Sequence, residues 1–587
     1  MSPYRAPVAD LEFLLRDVFA IEELFAFPDF RHVDWDIARG VLTESARFAE
    51  QQLAPANSIG DRHGAVLHNG RIELPEVFQT AWDAFCRDGW LGLDLPHEYG
   101  GQALPRVLQA AFAEIINGAC ISFCMLPLMS RAGARLLLAH AESAVVDQFV
   151  PGLASGDTTA TICISEPQAG SDVGRIQTRA TPVGDGTFRI TGTKIWISYG
   201  DHELTPQIAH MVLARTADAP AGTRGISLFL VPKLWPADGR ESMQRNGVAV
   251  RSIEHKMGLK ASPTCVLEFD DALAYPIGAE GRGLKSLFTM VNTMRLEVAV
   301  QGVAIAGAAT AAALRYATER RQGGPVDEAP VPIVEHPDVR RMLLTMCART
   351  EGLRALTLEA ARQLDLAEHA ADANDREKAE ALSGWLLPIC KACASDAGTD
   401  VSNLALQVHG GFGYVHETGI EQYVRDARVG SIYEGTNGIQ ALDLVSRKLV
   451  GDGGQRMTLF VQCVREALAA NASVIELESI HAALTDALET FERCTRFMMH
   501  SSRSERDRAA AATPFLQLTG LLGSAWMWLR MAAAANTDSR LHQHKRRTAA
   551  FFAEQLAPES SWLEAQVLAG AASMDAFPDN TLSALAE

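Results

Sequence analysis

The chain reads as an α+β protein, mostly α, in the order helical, β, helical and helical again. Three observations predict this. Apolar residues recur at i, i+3 and i+4 over most of the length. Between about residues 158 and 280 that period gives way to alternating β-branched and aromatic residues. No GxGxxG follows a strand and opens a helix, which argues against a Rossmann domain.

Residues 1–35 precede the first amphipathic run and form an N-terminal extension. An N-terminal α domain, 36–157, is expected to carry helices over Asp36 to Leu53, Pro75 to Gly89, Arg106 to Asn117, Leu126 to His140 and Ala144 to Leu153. Gly/Pro breaks such as Leu95-Pro-His-Glu-Tyr-Gly-Gly-Gln separate them. The middle β domain, 158–282, contains Phe188-Arg-Ile-Thr-Gly-Thr-Lys-Ile-Trp-Ile-Ser, read as strands around a Gly-containing turn. Further strands are expected at His210 to Arg215, Gly225 to Pro232 and Thr264 to Asp270. Helical periodicity returns over 283–450, a C-terminal α bundle. Gly451-Asp-Gly-Gly is read as a linker, and 455–587 as an additional helical module with amphipathic runs at Ile480 to Met499, Thr513 to Ala535 and His544 to Leu556. No internal repeat is visible.

A length of 587 residues with 48% apolar content supports several cored domains. The formal net charge of −18 disfavours nucleic acid and anionic membranes, while leaving room for a local basic pocket that holds a phosphorylated ligand. The longest apolar run, Val298 to Leu314, is too short to span a bilayer, so no membrane association is expected. Ten Cys without repeating spacing fit a reducing compartment, and the start of the chain shows neither secretory nor transit character, which points to the cytoplasm. Cys390-Lys-Ala-Cys393 lies in a helical run with no second pair to complete a tetrahedral site, so no metal is expected. His542 and His544, two apart on a helix, do not share a face. The basic patch His544-Lys-Arg-Arg reads as a solvated helix face.

Three segments carry chemistry. Ile162-Cys-Ile-Ser-Glu-Pro-Gln-Ala-Gly-Ser-Asp-Val-Gly, at the entry to the β domain, is a turn rich in N–H and hydroxyl donors. It suits a cofactor's carbonyls or phosphates, and equally any tight turn. In Thr193-Lys-Ile-Trp-Ile-Ser, Trp196 and Ser198 share a face, so an indole and a hydroxyl could meet one planar ring. A Trp packed in a β core fits that segment equally well. Gln407-Val-His-Gly-Gly-Phe-Gly-Tyr is followed by Val424-Arg-Asp-Ala-Arg-Val-Gly-Ser-Ile-Tyr-Glu-Gly-Thr-Asn-Gly-Ile-Gln, where Glu434 stands in a Gly/Thr turn before an apolar helix. Such a Glu is either a reactive carboxylate or a cap favoured by the helix dipole.

Taken together, in this order and spacing, the segments resemble the acyl-CoA dehydrogenase family over about residues 36–450. The Tyr4-Arg-Ala-Pro start, the insertion Gly323 to Val334 and the tail beyond 455 resemble a bacterial branch with a C-terminal extension that includes 3-methylmercaptopropionyl-CoA dehydrogenases. The resemblance implies an FAD-dependent oxidoreductase of fatty-acid metabolism and β-oxidation. It would form the trans-2-enoyl-CoA from an acyl-CoA, with Glu434 as base and hydride passing from Cβ to flavin N5. An electron-transferring flavoprotein is the implied acceptor and a homo-oligomer, a dimer by preference, the implied assembly. By the same resemblance Ile164 and Ser165 serve the flavin pyrimidine, Ser171 the diphosphate or the substrate, and Trp196 and Ser198 the ring. Thr436 and Asn437 would touch the adenosine-diphosphate part. Arg320, Gln407 and Gly411 would reach the FAD of a neighbouring subunit. Arg295, Tyr433 and Gly435 would border the substrate.

Two departures are visible. Gln322-Gly-Gly and an insertion follow Arg320-Arg321, and Pro337 stands where a Gln near the adenine is frequent, so the cross-subunit adenine contacts rest on less than the flavin-ring contacts. Met294 occupies an alternative base position and cannot take a proton, which leaves Glu434. The acyl pocket wall is expected to include Ser122 to Met129. An acyl-CoA oxidase and an FAD-holding DNA-binding relative are the rival readings; the second would want a basic groove. The tail is expected to be structural, its middle run buried on nearly all sides, with a possible part in covering the cofactor or substrate entrance.

Overall fold

The computed structural model describes residues 4–236, 242–577 and 579–585; the ends of the extension and of the tail, residues 1–3 and 586–587, lie outside them. The order helical, β, helical, helical is the order observed. The extension is docked rather than loose: Leu11, Leu14 and Leu15 are fully buried, and Tyr4 donates to the carbonyl of Ile115 at 2.9 Å.

In the N-terminal domain the two expected helices 106–117 and 126–140 are one element, α1 (Arg106–His140), bent where Cys120 leaves helical geometry at φ −159°, ψ 89°. It is buried almost throughout, because its Ala, Leu and Ile residues leave no polar stripe. By length and composition α1 and a second helix, α2 (Gly283–Glu319), could each cross a membrane. Their most apolar stretches are 100% and 89% buried, which accounts for the composition by packing inside the protein.

The middle domain is a seven-stranded sheet. Its strands are β1 (Thr158–Cys163), β2 (Arg179–Pro182), β3 (Phe188–Ser198), β4 (Gln207–Ala214), β5 (Ser227–Pro232), β6 (Val248–Ile253) and β7 (Thr264–Ile277). The path runs β1-β4-β5-β7-β3-β2 with β6 also on β7, and only the β1–β4 pair is parallel. β7 is long enough to pair with β3 and β6 along its first part and with β5 at Tyr275–Ile277, which curls the sheet around Ile190, Ile197, Val212, Phe229 and Phe269. The turn expected at Gly192 does not form. Gly192 continues β3 opposite Phe269, and a Cβ there would lie 2.5 Å from the hydroxyl of Thr178, so glycine serves close packing at this point.

The C-terminal bundle is built on α2, α3 (Pro337–His369) and α4 (Ala373–His409). Gly302 of α2 packs so closely on α4 that a Cβ would fall 2.2 Å from the carbonyl oxygen of Ala394. The insertion after α2 folds back on itself through Gln322 N–H to Val331 O at 2.9 Å and Ile333 N–H to Arg320 O at 2.8 Å. Gly451-Asp-Gly-Gly is a hydrogen-bonded turn rather than a slack linker, since Asp452 accepts from the N–H of Gly454 at 2.9 Å.

The tail packs on this bundle. Its middle run belongs to α5 (Glu505–Ala534), where Phe515, Leu516, Leu518, Leu522, Trp526, Trp528 and Leu529 are buried as expected. Trp528 donates to the carbonyl of Ala348 at 3.1 Å, and Gly352 makes room for its indole. The expected solvated face at His544 to Arg547 is corrected: Lys545, on α6 (Arg540–Gln555), is 0% exposed. Its ammonium pairs with Asp10 and, at 2.7 Å, with Glu351, whose other oxygen meets His544 at 2.7 Å. Two carboxylates make burial of that cation affordable. Cys347, Glu351 and His544 could also converge on a metal, but the Lys545 ammonium already holds the cationic place there.

Truncation after Val450 would strip Trp526 and Trp528 from α3 and α4. The shortened chain is expected to aggregate or change its oligomeric state in light scattering. A soluble truncation with its assembly intact would show the tail to be dispensable for the core.

Candidate active site

The site lies where the turn Tyr433 to Asn437 enters a short helix, Asn437–Asp443, packed on α4 and α5 and tied to α2 through Arg295 and Asp443. Glu434 has φ 56° and Gly435 φ 85°. The left-handed region costs a non-glycine residue on the order of 1–3 kcal/mol, so the surroundings must hold it. They do so through three contacts. The Lys391 ammonium donates to Gly435 O at 2.8 Å, the Gln440 amide reaches the same carbonyl at 3.3 Å, and Thr436 caps the helix by accepting from Ile439 N–H at 3.2 Å.

Burial pushes the Glu434 carboxyl up to about 7, against the pull of Lys391 and Arg295. Arg295, on α2, is 5% exposed and is held by Asp443 at 3.3 Å. Other acids nearby are spent. Glu297 is ion-paired with Arg131, which also binds Asp94 at 3.0 Å, and Met294 is buried and inert. Tyr433 donates its hydroxyl to Gln301 Oε1, and the Gln301 amide approaches Met125 Sδ at 3.4 Å. The expected wall Ser122 to Met129 is thus brought to the residue beside Glu434 through Met125.

The sheet supplies a second face. Between Lys194 and Ile197 the pairing with β7 slips by one residue, and Trp196 sits in that bulge at φ 65° with 58% of its surface exposed. The bulge places Trp196 and Ser198 on one side of the strand while Ile197 points into the barrel. An exposed indole beside a hydroxyl fits one side of a planar ring. The core-Trp reading of this segment does not hold.

Next to it, Ser165 O accepts from Ile195 N–H at 3.0 Å and Ile164 O from the Lys194 ammonium at 3.0 Å, which fixes the Ile164–Ser165 strand end against β3. Lys194 and Glu166, both buried, pair at 2.8 Å. Burial would raise Glu166, but Lys194 and the hydrogen bonds from Thr178 and Gln177 hold it down at about 2. Ser171 is exposed beyond this turn.

Arg320 and Gly411 come together away from that turn, with the Arg320 guanidinium 5.7 Å from the ring of Phe412. Gln407 and Gly411 are exposed at the end of α4. Asn437 is engaged by residues of α4. Its oxygen accepts from Lys391 at 2.9 Å and its amide donates to Asp396 at 2.7 Å, so its side chain is occupied within the chain. Lys391 itself was invisible as a site residue, because a lysine in a helical run ordinarily reads as solvated.

Gly435→Ala would force a Cβ into left-handed backbone and to within 2.7 Å of Gln440 Nε2. A loss of about 1–2 kcal/mol of stability, read by denaturant unfolding, and a fall in turnover are expected. An Ala variant with wild-type stability would contradict the account of this turn.

Four family models match in sequence: Acyl-CoA dehydrogenase, N-terminal domain, over residues 39–157; middle domain over 161–272; C-terminal domain over 281–449; and Acetyl-CoA dehydrogenase C-terminal like over 456–578. The chain is 41% identical over 573 residues to 3-methylmercaptopropionyl-CoA dehydrogenase of Ruegeria pomeroyi, covering 95% of this chain and 97% of that one. In fold it is similar to Caenorhabditis elegans ACDH-11 in complex with C11-CoA, with a TM-score of 0.81, 21% identity and coverage of 95% and 92%. It is also similar to an acyl-CoA dehydrogenase complexed with FAD from Bacillus anthracis, with a TM-score of 0.76, 20% identity and coverage of 95% and 91%. With matching models along nearly its whole length and a relative this similar end to end, the chain belongs to the acyl-CoA dehydrogenase family of oxidoreductases acting on CH–CH bonds.

Proposed function

We propose that the protein catalyses α,β-dehydrogenation of an acyl-CoA thioester to the trans-2-enoyl-CoA, with Glu434 removing the α proton. The observation that carries this is a half-buried carboxyl, raised to about 7 and set in a left-handed turn, with the buried cations Lys391 and Arg295 acting on it. An α C–H is a weak acid, and a base whose pKa lies near the working pH gives the best compromise between being ionised and being basic. FAD, when bound, supplies the acceptor for the hydride that leaves Cβ. Trp196 and Ser198 would hold its ring, with Ile164 and Ser165 at the pyrimidine edge, Ser171 and Thr436 further along, and Arg320, Gln407 and Gly411 offered to a partner subunit.

Within the chain, Glu434 N–H enters none of the backbone hydrogen bonds of the turn, whereas Ile432 and Tyr433 N–H both bond to Val429 O. That donor is available to the thioester oxygen as enolate charge develops. Tyr433 and Gly435 flank the base, and Arg295 keeps a positive charge behind it. The same reading places the protein in the cytoplasm of a bacterium, in β-oxidation, as a homodimer handing electrons to an electron-transferring flavoprotein.

The sign of the pH dependence follows from the raised carboxyl. Below about 7 Glu434 is protonated and idle, so turnover should climb as pH rises through that value. Glu434→Gln should retain FAD and acyl-CoA yet lose turnover on the order of 10²- to 10⁴-fold, together with that pH limb. A Gln variant as active as the parent, assayed with an artificial acceptor over a series of acyl chain lengths, would refute the assignment. Trp196→Ala should weaken flavin retention or shift its absorbance; unchanged spectrum and affinity would remove Trp196 from the ring site.

A further inference from the structure

Lys391 lies on α4 between Cys390 and Cys393 and has none of its surface exposed. Its ammonium touches Gly435 O at 2.8 Å and Asn437 Oδ1 at 2.9 Å, the residues one and three beyond Glu434. Both acceptors are neutral. A buried ammonium without a carboxylate in contact is costly, and a methionine would fill the same space without that cost. Burial drags Lys391 down to about 8, while Glu434 and Asp396 favour its charged form and Arg295 opposes it. Asn437 is locked so that its oxygen faces Lys391, because its amide donates to Asp396 at 2.7 Å and to Ala392 O at 3.2 Å.

We propose that Lys391 is a positioning residue for the base: its ammonium pins the Glu434–Asn437 turn through the Gly435 carbonyl and the Asn437 side chain, and so holds a buried positive charge one residue from Glu434. The inference rests on the reading of Glu434 as base. The charged and titratable groups around the pair are few. Arg295 of α2 acts on Glu434 and shares Asp443 with Arg447 and Lys448, so it keeps much of its charge; Tyr433 adjoins on the same turn; Asp396 of α4 bonds Asn437, with Asp400 and Arg428 near it. Of the two cations that draw Glu434 down, Lys391 contributes more than Arg295.

The test uses FAD-loaded Lys391→Met, Lys391→Arg and wild type, with kcat/KM measured from pH 5.5 to 9.5. In Lys391→Met the midpoint of the acidic limb should move upward by about one unit. Turnover well below the midpoint would then drop about tenfold and recover at high pH. Lys391→Arg should restore the midpoint. If Lys391→Met fails to hold FAD, Lys391→Gln, which keeps a polar donor in the same direction, makes the same comparison without the charge. A midpoint identical to wild type in the uncharged variant, with only thermal stability lowered, overturns the proposal. Glu434→Gln is run alongside. Retained turnover there refutes the base itself, whereas an inactive Glu434→Gln with an unmoved Lys391→Met midpoint refutes only the role of Lys391.

Discussion

Holding a half-buried carboxyl in left-handed backbone, with positive charge placed at one remove from it, is the constraint around which this end of the bundle is arranged. Burial alone favours the protonated acid, and an unshielded ion pair alone would leave a base too weak to take a carbon-bound proton. The chain sets the balance with positive charge at one remove. Arg295 is partly neutralised by Asp443, and Lys391 addresses the backbone next to Glu434 rather than its carboxylate. Three helices are committed to this: α2 brings Arg295, α4 brings Lys391, and the short Asn437–Asp443 helix both starts at the turn and supplies Asp443. The left-handed backbone of Glu434 is held from the same side.

The sheet uses the opposite arrangement. There Glu166 and Lys194 are in direct contact beneath the surface, and each is further hydrogen-bonded, so the pair acts as a fixed strut for the strand end at Ile164–Ser165. Above that strut the bulge turns Trp196 outward. Tyr199, just past the strand, donates to Ser122 O at 2.9 Å and ties the sheet to the bent helix whose Met125 approaches Gln301.

Much of this was legible in the sequence, for identifiable reasons. The change of period near 158 and back near 283 reports which faces are buried, and the Tyr-Glu-Gly-Thr turn stands out because Gly and Thr punctuate an apolar run. Other features leave little trace. The expected break begins at Gly118, two residues before the bend at Cys120, but the continuation of α1 through 118–125 left no polar stripe to mark it, so α1 read as two helices with a gap. The bulge at Trp196 changes no residue type, only the register with a partner strand 70 residues away. Lys545 reads as part of a solvated face and Lys391 draws no reading, for one reason: a lysine in a helix carries no local sign of whether distant acceptors surround it. The bonds of Asn437 to Asp396 and Lys391 left no trace either, because those partners come from another helix.

The ion cluster that fastens the tail also spans nearly the whole polypeptide. Asp10 meets Arg354 at 2.5 Å and Lys545, while Arg530 donates to Val18 O at 3.1 Å across 512 residues of sequence. A ribosome delivers the chain at roughly 5–20 residues per second, so the first helix waits on the order of half a minute or more for these partners to be made. Leu11, Leu14 and Leu15 belong to the same continuous core as Trp526 and Trp528 of the tail. The first helix therefore finds the last of its ion-pair partners only after residue 545 has been made, and the early chain must be kept from self-association until then.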